Sequence, residues 1–596
     1  MDVKTDKTIA EYFNENKKLE VQDNRPGKKI KIAILSNFTT KGIPEILNVK
    51  CNEQGIFSKI YNADYDQYSQ EILNQNSKLY QFNPDLTILI IDLQKILGEN
   101  FFFPYRLKKE ERQKLINEKF REIANLINIL SEKLNGKIVI NNFLVPTYSP
   151  FGILENKTDY GFFEMIKSLN EKLGKKYLQN PKVWVFDFDS FASKHGKINI
   201  INSKMSYLAE IRIDMNLISK LCDEYIGYIK PFLSIIKKCL VLDLDNTLWG
   251  GIIGEDGVGG IKLGPDTPEG RAFVEFQKHI LSLYEKGLIL AINSKNNPGD
   301  ALKVLKEHPN QILKQEHFAS IKINWNDKIS NMKEIADEIN IGLDTFVFFD
   351  DDPVNREMVR KSLPEIFVPE LPPDPSSYIF ALQRLNEFNT LTITEEDKKK
   401  GELFTSQRKR KLFLESSSDL SQFLKDLDMS VEISKANQFT IPRIFQLIHK
   451  TNQFNMTTKR YSEEETKKFC NDKDHIVFCA RVKDKFGDNG ITCLVIIQKN
   501  QKNWKIDTFL LSCRIIGREI EKAILSFLIE QAKKEGIENI IGEFIPSDRN
   551  VPAKDFYKDN NFILESTNQG NQIWSLNIEN INYKCPEFIK LNFIEN

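Results

Sequence analysis

The chain has 596 residues, more than a single hydrophobic core supports, and this length predicts roughly three or four domains. Apolar residues make up 41% of it and charged residues 28%, which is typical of water-soluble globular proteins and excludes a largely disordered chain. Basic and acidic residues balance at 83 each, so no overall electrostatic field favours nucleic acid or an anionic membrane as a partner.

The eight cysteines are scattered and include no Cys-x-x-Cys pair, which argues against a disulfide framework and against a zinc site. Residues 1–7 lack the apolar core of a signal peptide, and no segment is apolar over the length that a membrane-spanning helix needs. These features predict a cytoplasmic protein.

Residues 1–228 are predicted to form a first α/β domain. The charged stretch 107–134 indicates a helix, and continuous apolar runs indicate parallel strands that are covered on both faces. These runs span residues 31–36, 86–92, 137–141 and 183–187.

Polar residues follow two of these strands: Ser36 and Asn37 after the first, and Asn142 after the third. The region resembles the flavodoxin-like sheet of SGNH hydrolases, which would make Ser36 a nucleophile and Asn142 an oxyanion donor. The Asp-x-x-His sequence of those enzymes is missing, and His195 is the only histidine in the region. A serine without a positioned base is a poor nucleophile, so we expect a docking or structural role here.

Residues 229–393 are predicted to form a central domain with the same alternation of strands and helices. Strands are expected at 239–242, 288–294 and 346–350, and helices at 268–286, 298–307 and 327–340. The stretch between Thr247 and Pro268 leaves room for a small hairpin flap. The four prolines within 369–377 predict that the chain leaves the domain there.

Four polar groups follow one another along this domain, and the first, second and fourth each close an apolar strand. They are Asp243 with Asp245 and Thr247, Ser294 with Asn296, Lys328, and Asp350 with Asp351. Parallel strands bring the residues that follow them to one sheet edge, so we expect the groups to converge. Together these groups suit phosphoryl transfer. They provide a carboxylate nucleophile, a second acid, a hydroxyl, an ammonium and carboxylates that can bind Mg²⁺. A calcium loop is excluded, because Leu248 and Gly254 stand where it needs Gly and Glu.

At these residues the chain resembles the haloacid dehalogenase superfamily of phosphatases and phosphotransferases. The resemblance implies that Asp243 is the nucleophile and Asp245 the general acid and base. It implies phosphate or substrate binding by Ser294, Lys328, Thr247 and Asn296. It also implies Mg²⁺ as the cofactor, bound by Asp243, Asp350, Asp351 and the main-chain carbonyl of Asp245.

Further motifs resemble the FkbH-like subgroup of that superfamily. They lie at residues 249–251, 294–298, 323–328 and 349–356, and continue at 451–455, 486–490 and 512–518. The resemblance implies a small phosphorylated acid as substrate, such as 1,3-bisphosphoglycerate. It implies removal of phosphate and transfer of the glyceryl unit to the phosphopantetheine of an acyl carrier protein.

Three features depart from the subgroup pattern. Asn293 stands where a cysteine that could carry an acyl group often precedes the motif serine, which weakens the case for thioester chemistry there. Asp352 stands where Asn is usual and adds charge near the metal. The N-terminal region indicates a stand-alone form, whose acceptor need not belong to a polyketide pathway.

A charged helical connector is predicted over 394–415, and we interpret its basic run 408–411 as a solvated helix face. Residues 416–577 are expected to form a third domain, followed by a tail over 578–596. The domain would contain a hairpin of strands 476–481 and 491–497 around a turn at 486–490, a strand at 504–512 and a helix at 517–535.

This third domain resembles N-acetyltransferases. Arg514 and Gly517 precede the long helix, whose free main-chain N–H groups could bind a pyrophosphate. Glu519 disfavours close phosphate approach, so a pantetheine arm offered by a carrier is preferred over free coenzyme A. Tyr557 could protonate a departing thiolate, although a packing role is favoured. Cys513 is a second candidate for an acyl-carrying thiol.

The sequence thus predicts an α/β protein in which a haloacid dehalogenase-type parallel sheet is flanked by an SGNH-like α/β domain and an N-acetyltransferase-like α+β domain. Three functions stay open. They are a phosphatase that also transfers the acyl unit to a carrier, a plain phosphatase, and a carrier-binding scaffold without catalysis. No partnership with nucleic acid or membrane is expected.

Overall fold

The chain folds into two units in the computed structural model, which describes residues 7–21, 27–393, 395–417, 419–579 and 581–594. The first unit contains the described residues up to Ile236 together with Arg384–Thr392. The second contains Lys237–Gln383 and the described residues from Ile393 onward. Within the first unit, the buried Lys230 ammonium pairs with Glu387 at 3.0 Å, which fastens the returning segment to its last helix.

The first unit is a five-stranded parallel sheet in the order β2-β1-β3-β4-β5, with an apolar core on each face. The four predicted strands are confirmed. Strand β2 was not predicted, because only its first half is buried and its sequence shows no long apolar run. The strands are β1 Lys28–Ser36, β2 Ile56–Asn62, β3 Leu86–Ile90, β4 Lys137–Asn141 and β5 Val183–Phe186.

Eleven helices of this unit are described, and the longest confirms the helix predicted over 107–134. They are α1 Ile9–Glu20, α2 Ile43–Glu53, α3 Tyr68–Leu73, α4 Lys78–Phe82, α5 Leu93–Leu97, α6 Glu99–Phe102, α7 Lys109–Lys133, α8 Phe162–Tyr177, α9 Phe188–His195, α10 Ser203–Ala209 and α11 Met215–Phe232.

The second unit begins with a four-stranded parallel sheet in the order β8-β7-β6-β9. Its strands are β6 Cys239–Leu242, β7 Ile289–Ser294, β8 Phe318–Ile323 and β9 Phe346–Phe349. Its helices are α12 Ile253–Gly260, α13 Pro268–Glu285, α14 Pro298–Glu307, α15 Lys328–Ile339, α16 Pro353–Ser362 and α17 Tyr378–Gln383. The predicted strands and helices are confirmed, whereas β8 and α16 were not predicted.

The structure differs from two expectations for this part of the chain. The flap after Thr247 is not a simple hairpin but the short helical segment α12, interrupted at Gly257 (φ 65°) and closed by a bridge between Gly250 and Lys262. The proline-rich stretch does not leave the domain directly. It leads into α17, where Tyr378 packs on the rings of α13 and donates a hydrogen bond to the Asn246 carbonyl (3.2 Å).

The remainder of the second unit is a mixed nine-stranded sheet. Its main path runs β16-β17-β15-β14-β13-β12-β10-β18, and β11 pairs with β14. The strands are β10 Met429–Lys435, β11 Phe454–Asn455, β12 His475–Asp484, β13 Gly487–Asn500, β14 Asn503–Leu511, β15 Asn539–Phe544, β16 Ile563–Asn568, β17 Asn571–Asn577 and β18 Ile589–Ile594. The helices are α18 Glu395–Lys398, α19 Lys400–Ser416, α20 Leu420–Asp426, α21 Ile441–Lys450, α22 Glu463–Asn471, α23 Ile520–Lys534 and α24 Phe556–Asp559.

The predicted hairpin, strand and helix are confirmed, with two local differences. The turn lies at residues 485–486, so most of the expected turn at 486–490 belongs to β13. The basic run 408–411 is not wholly solvated, because the buried Arg410 donates two hydrogen bonds to Asp484 at 2.7 and 2.9 Å.

The fold class is therefore α/β, with two parallel sheets and a mixed α+β sheet. Within the described parts of the chain, no helix combines the length and the apolarity that crossing a lipid bilayer requires.

Candidate functional site

The carboxylates of the central domain converge because the register of two neighbouring strands is aligned. Leu242 of β6 pairs with Phe349 of β9, so the residues that follow them, Asp243 and Asp350, leave the sheet side by side. Oxygen atoms of Asp243, Asp350 and Asp351 lie within 4.8 Å of one another. Asp350 is fully buried and Asp243 nearly so. The convergence expected from the sequence is present at this edge.

Lys328 is the positive group of this cluster. Its side chain is 1% exposed, its ammonium lies 3.1 Å from Asp243, and it also bonds Asp350. Burial by itself would lower the pKa of Lys328, but the charges of Asp243 and Asp350 outweigh it and raise the pKa above its usual range. The lysine therefore stays charged and holds the two carboxylates together.

Lys328 is placed by the start of α15 and by a buried amide beneath it. Asp327 caps the helix by accepting a hydrogen bond from the Ser330 N–H (2.8 Å). The fully buried Asn293 donates to the Lys328 carbonyl (2.9 Å) and accepts from Asn331 (3.0 Å). The residue that departs from the subgroup pattern is therefore a support for the site.

The loop after β9 is fixed by an arginine that the sequence analysis missed. Arg356 donates to the carbonyls of Asp350 (2.8 Å) and Asp351 (2.7 Å) from the first turns of α16. The available signal was its spacing, since a residue six positions beyond Asp350 on a helix can reach back to the loop. Asp352 caps α16 through the Val354 N–H (2.9 Å) and is not part of the carboxylate cluster.

Asp245 points to a different set of partners. Its carboxylate accepts hydrogen bonds from the Trp249 indole (2.9 Å), the Ile253 N–H (3.2 Å) and the Asn296 amide (3.0 Å). Burial, aided by the charge of Asp243, outweighs these bonds and raises the pKa of Asp245. A carboxyl group with a raised pKa suits an acid that donates and accepts a proton.

The hydroxyl residues take two positions. Ser294 is buried at the end of β7, and its hydroxyl accepts from Asn296 (3.2 Å), which links it to Asp245. The Thr247 hydroxyl accepts a hydrogen bond from the Asp351 N–H (3.2 Å) and faces the Asp351 carboxylate (3.4 Å). Thr247 thus braces the acidic loop.

The charge balance of the cluster favours a divalent cation. Three carboxylates oppose one ammonium, and burial together with the charges of Asp243 and Asp350 raises the pKa of Asp351 to about 6. Opposite ligands of an octahedral Mg²⁺ are about 4.2 Å apart, so small side-chain rotations would let these oxygens share one ion. The carboxylate oxygens of this cluster are donors that fit a hard cation.

The candidate binding residues of the third predicted domain, residues 416–577, do not form a comparable site. Tyr557 is fully buried, and its ring lies 2.3 Å from where a side chain at Gly542 would begin, so the ring is tightly enclosed. Gly517 turns with φ 79°, and the Arg514 carbonyl accepts a hydrogen bond from Arg518. The Cys513 thiol is exposed.

A gap between β14 and β15 is filled by the chain itself. These strands pair only over Asn503–Ile506 and Asn539–Gly542. Beyond that point the Met456 N–H donates to the Phe509 carbonyl (3.1 Å), and the Ile545 N–H donates to the Met456 carbonyl (2.8 Å). A pantetheine arm would find these main-chain groups already bonded.

The hydrolase-type residues of the first unit are held in structural bonds. Asn37 exchanges two hydrogen bonds with the Asp92 backbone (2.8 and 3.2 Å), and Asn142 bonds Asp187 and Asp189. The Ser36 hydroxyl accepts from the Phe38 N–H (3.1 Å), and His195 packs on Phe191 instead. Across the described residues, no histidine contacts Ser36.

Two known proteins or domains match the first unit and the central domain of this chain. A family model of the FkbH N-terminal domain matches residues 31–230. The chain is 30% identical to the N-terminal part of the protein BF1531 from Bacteroides fragilis, containing a phosphatase domain complexed with Mg, over 64% of this chain and 99% of that one (TM-score 0.59).

A second match is the ribosomal-protein-S18-alanine N-acetyltransferase of Escherichia coli, at 16% identity over 26% of this chain and 99% of that one. The TM-score of this match is 0.21. No curated protein matches the chain. The match to nearly the whole length of the Bacteroides fragilis structure, together with the FkbH domain, shows that this chain belongs to the FkbH-like group of haloacid dehalogenase-type proteins.

Proposed function

We propose that this protein is a Mg²⁺-dependent phosphatase that acts on a small phosphorylated acid and passes the acyl unit to a carrier protein. The observation that carries the phosphatase part is the buried cluster of Asp243, Asp350 and Asp351 around Lys328. The Bacteroides fragilis relative, which contains a phosphatase domain complexed with Mg, supports the same activity and cofactor.

In this proposal Asp243 attacks the phosphorus atom and forms an aspartyl phosphate, while Asp245 protonates the leaving oxygen. Asp245 then takes a proton from water, which cleaves the aspartyl phosphate and releases inorganic phosphate. Ser294 and Lys328 hold the phosphoryl oxygens, since a hydroxyl and an ammonium stabilise the charge that develops there. The raised pKa of Asp245 supports its role as the acid of the first step.

The residues that would hold Mg²⁺ are Asp243, Asp350 and Asp351, together with the main-chain carbonyl of Asp245. When bound, the cation would neutralise part of the negative charge of the nucleophile and of the substrate. The excess of carboxylates over the Lys328 ammonium supports this assignment. Arg356 keeps the loop in place through the carbonyls of Asp350 and Asp351.

The transfer step is the finer part of the proposal. With 1,3-bisphosphoglycerate, the carrier thiol attacks the acyl carbon, a C–S bond forms, and the C–O bond to the acyl phosphate breaks. The thiol proton leaves with the phosphate. The remaining phosphate ester is hydrolysed through Asp243. The resemblance to the FkbH-like subgroup supports this substrate and acceptor, and the exposed thiol of Cys513 offers an intermediate carrier.

A plain phosphatase is the second candidate, and a specific observation favours it. Asn293 is fully buried and bonded to the Lys328 carbonyl and to Asn331, so the position offers no thiol and no open space for one. Tyr557 is equally enclosed.

One assay separates these functions. The protein is incubated with Mg²⁺, 1,3-bisphosphoglycerate and a phosphopantetheinylated carrier, and phosphate release and the intact mass of the carrier are followed. Phosphate with added glyceryl mass supports the full proposal. Phosphate alone supports the plain phosphatase and overturns the transfer step. Absence of phosphate, with or without carrier binding, overturns both.

A further inference from the structure

The first unit contains a cavity that the phosphatase chemistry does not use. Its volume is about 490 Å³, within the roughly 300–1,000 Å³ of small-molecule sites. It lies beyond the carboxyl ends of β1, β3 and β4, where Phe38, Ile91 and Phe143 line it. Because β1 lies between β2 and β3, the connection from β1 to β2 and the connection from β2 to β3 run on opposite faces of the sheet and diverge at this place. Open parallel sheets bind ligands at such a point.

The lining of the cavity is mostly apolar and includes several aromatic rings. Phe101, Phe143 and Phe162 form part of its wall. Two further lining residues are strongly exposed, Ile198 at 83% and Tyr148 at 74%. Apolar side chains that both line a cavity and face water leave surface that an apolar ligand would cover.

Two cations line the cavity, Lys197 and Arg212; Lys197 is already paired with Asp189 (2.6 Å), and Asp92 lies in the same wall. Arg212 lines the cavity, and its side chain is 14% exposed. One of its terminal nitrogens donates to Gln94 (3.2 Å), and another lies 3.5 Å from Glu210. Its buried Nε has no hydrogen-bond partner among the described residues, because the Asp92 carboxylate is 3.9 Å away. The partly exposed Arg212 side chain places a positive charge in a mostly apolar wall, where it can pair with an anionic head group.

The same edge lacks the parts that would make it a hydrolase. The Asn37 amide is hydrogen-bonded to the backbone and the Asn142 amide to a carboxylate. Within the described residues, no histidine is hydrogen-bonded to Ser36. A ligand bound here would therefore be held and not cleaved.

We propose that this cavity binds an amphipathic carboxylate, with its hydrocarbon part between the aromatic residues and its carboxylate paired with the guanidinium of Arg212. The hydrophobic lining provides the affinity, and the guanidinium selects the head group. The proposal is independent of the phosphatase, because every lining residue belongs to the first unit and no residue of the carboxylate cluster takes part.

The test is isothermal titration of the full-length protein with decanoate and, separately, with decan-1-ol, which has the same chain without the charge. We expect one saturable decanoate site per chain and about tenfold weaker binding of decanol. Arg212→Gln should remove this difference by weakening decanoate alone. Because Arg212 also contacts Glu210 and Gln94, each variant is checked by its circular dichroism spectrum and melting temperature. Arg212→Met, which removes the charge and keeps a side chain of similar length, serves if the glutamine variant does not fold.

The chain offers a matched pair for the apolar part. Ile198→Asp places a charge on the cavity wall and should weaken both ligands at least tenfold. Ile153→Asp changes an isoleucine of similar exposure (93%) in the same unit that does not line the cavity, and it should leave binding unchanged.

Each remaining outcome overturns part or all of the proposal. Absence of saturable decanoate binding removes the site. Binding that survives Ile198→Asp places the affinity elsewhere on the molecule. Equal binding of decanoate and decanol, unchanged by either Arg212 variant, removes the carboxylate anchor.

Discussion

The first unit and the central domain are both parallel α/β sheets, yet their carboxyl edges carry opposite chemistry. At the central edge, three acidic side chains cluster, and two of them contact one buried ammonium. At the edge of the first unit, Ser36, Asn37 and Asn142 are bonded within the fold, and an apolar cavity lies beyond them.

The contrast shows that the architecture decides where a site forms but not what the site does. In both sheets the parallel strands deliver their following residues to one edge. A few positions then decide the chemistry. Asp243 and Asp350 follow adjacent strands in aligned register, whereas Asn37 and Asn142 satisfy main-chain and carboxylate groups of their own fold. Four predictions test this contrast.

The largest effect is expected from Asp243→Asn. The amide cannot accept a phosphoryl group, so phosphate release from 1,3-bisphosphoglycerate should fall at least about 10³-fold. The fold should persist, because the Lys328 ammonium keeps its bond to Asp350. Phosphate release under saturating substrate and Mg²⁺ measures the loss.

The matched control is Asp266→Asn, which removes a carboxylate from an exposed position of the same domain and should leave the rate unchanged. Substantial turnover by Asp243→Asn would show that the nucleophile is another residue. A similar loss in the control would show that the change in rate does not report on the site.

Lys328→Met should affect stability as well as rate. It leaves Asp243 and Asp350 buried without a counter-charge, and breaking such a pair costs about 3–5 kcal/mol. Phosphate release should fall about 10²-fold, since one holder of the phosphoryl oxygens is lost. Added Mg²⁺ should restore more stability to the variant than to the unchanged protein, because the cation replaces the missing positive charge. Urea unfolding with and without Mg²⁺ measures this.

Lys333→Met, on an exposed position of α15, is the control and should change neither quantity. If Mg²⁺ stabilised both variants to the same extent, the carboxylates would not be the site at which the cation acts.

Asn293→Ala should have an intermediate effect. It removes the amide that bonds the Lys328 carbonyl and Asn331, leaving buried groups without partners at a cost of about 1–3 kcal/mol. Displacement of Lys328 should lower the rate about tenfold. Asn326→Ala, at an exposed position two residues before Lys328, should be neutral. A rate unchanged in Asn293→Ala would show that Lys328 is placed without this support.

The smallest effect is expected at the other sheet edge, from Asp92→Asn. Burial raises the pKa of Asp92, against the opposing charges of Arg212 and Lys95. The folded state therefore holds this proton more tightly than the unfolded state, whose pKa is about 3.9. The stability that Asp92 contributes is present below the unfolded value and is lost as pH rises through the raised one. The variant, which still caps α5, should melt higher than the unchanged protein at neutral pH but not at about pH 4.

Asp64→Asn, an exposed carboxylate of the same unit, is the control and should show no such dependence. If the difference in melting temperature between Asp92→Asn and the unchanged protein were the same at pH 4 and at neutral pH, Asp92 would not be desolvated.

Much of the fold could be predicted because apolar runs mark buried strands directly. Of the strands in the two parallel sheets, β2 and β8 were missed, because they are only partly buried and their sequences lack a continuous apolar run. In the mixed sheet, β10, β11 and β15 to β18 were also not predicted. The flap was misjudged because its glycines suggested a turn, whereas the short helix α12 forms and is interrupted at Gly257. Arg410 was misjudged because a charge run does not reveal that Asp484, distant in sequence, accepts two of its hydrogen bonds.

For the site, the sequence by itself determined which residue types stand at the ends of which strands, because alternation of strand and helix fixes that order locally. It did not determine the supports. Arg356, Asn293 and Trp249 act through contacts that exist only once helices and loops have packed on the sheet. Only the tertiary structure decided that Tyr557 is enclosed and that Arg212 stands in an apolar cavity, since burial depends on residues far away in the chain.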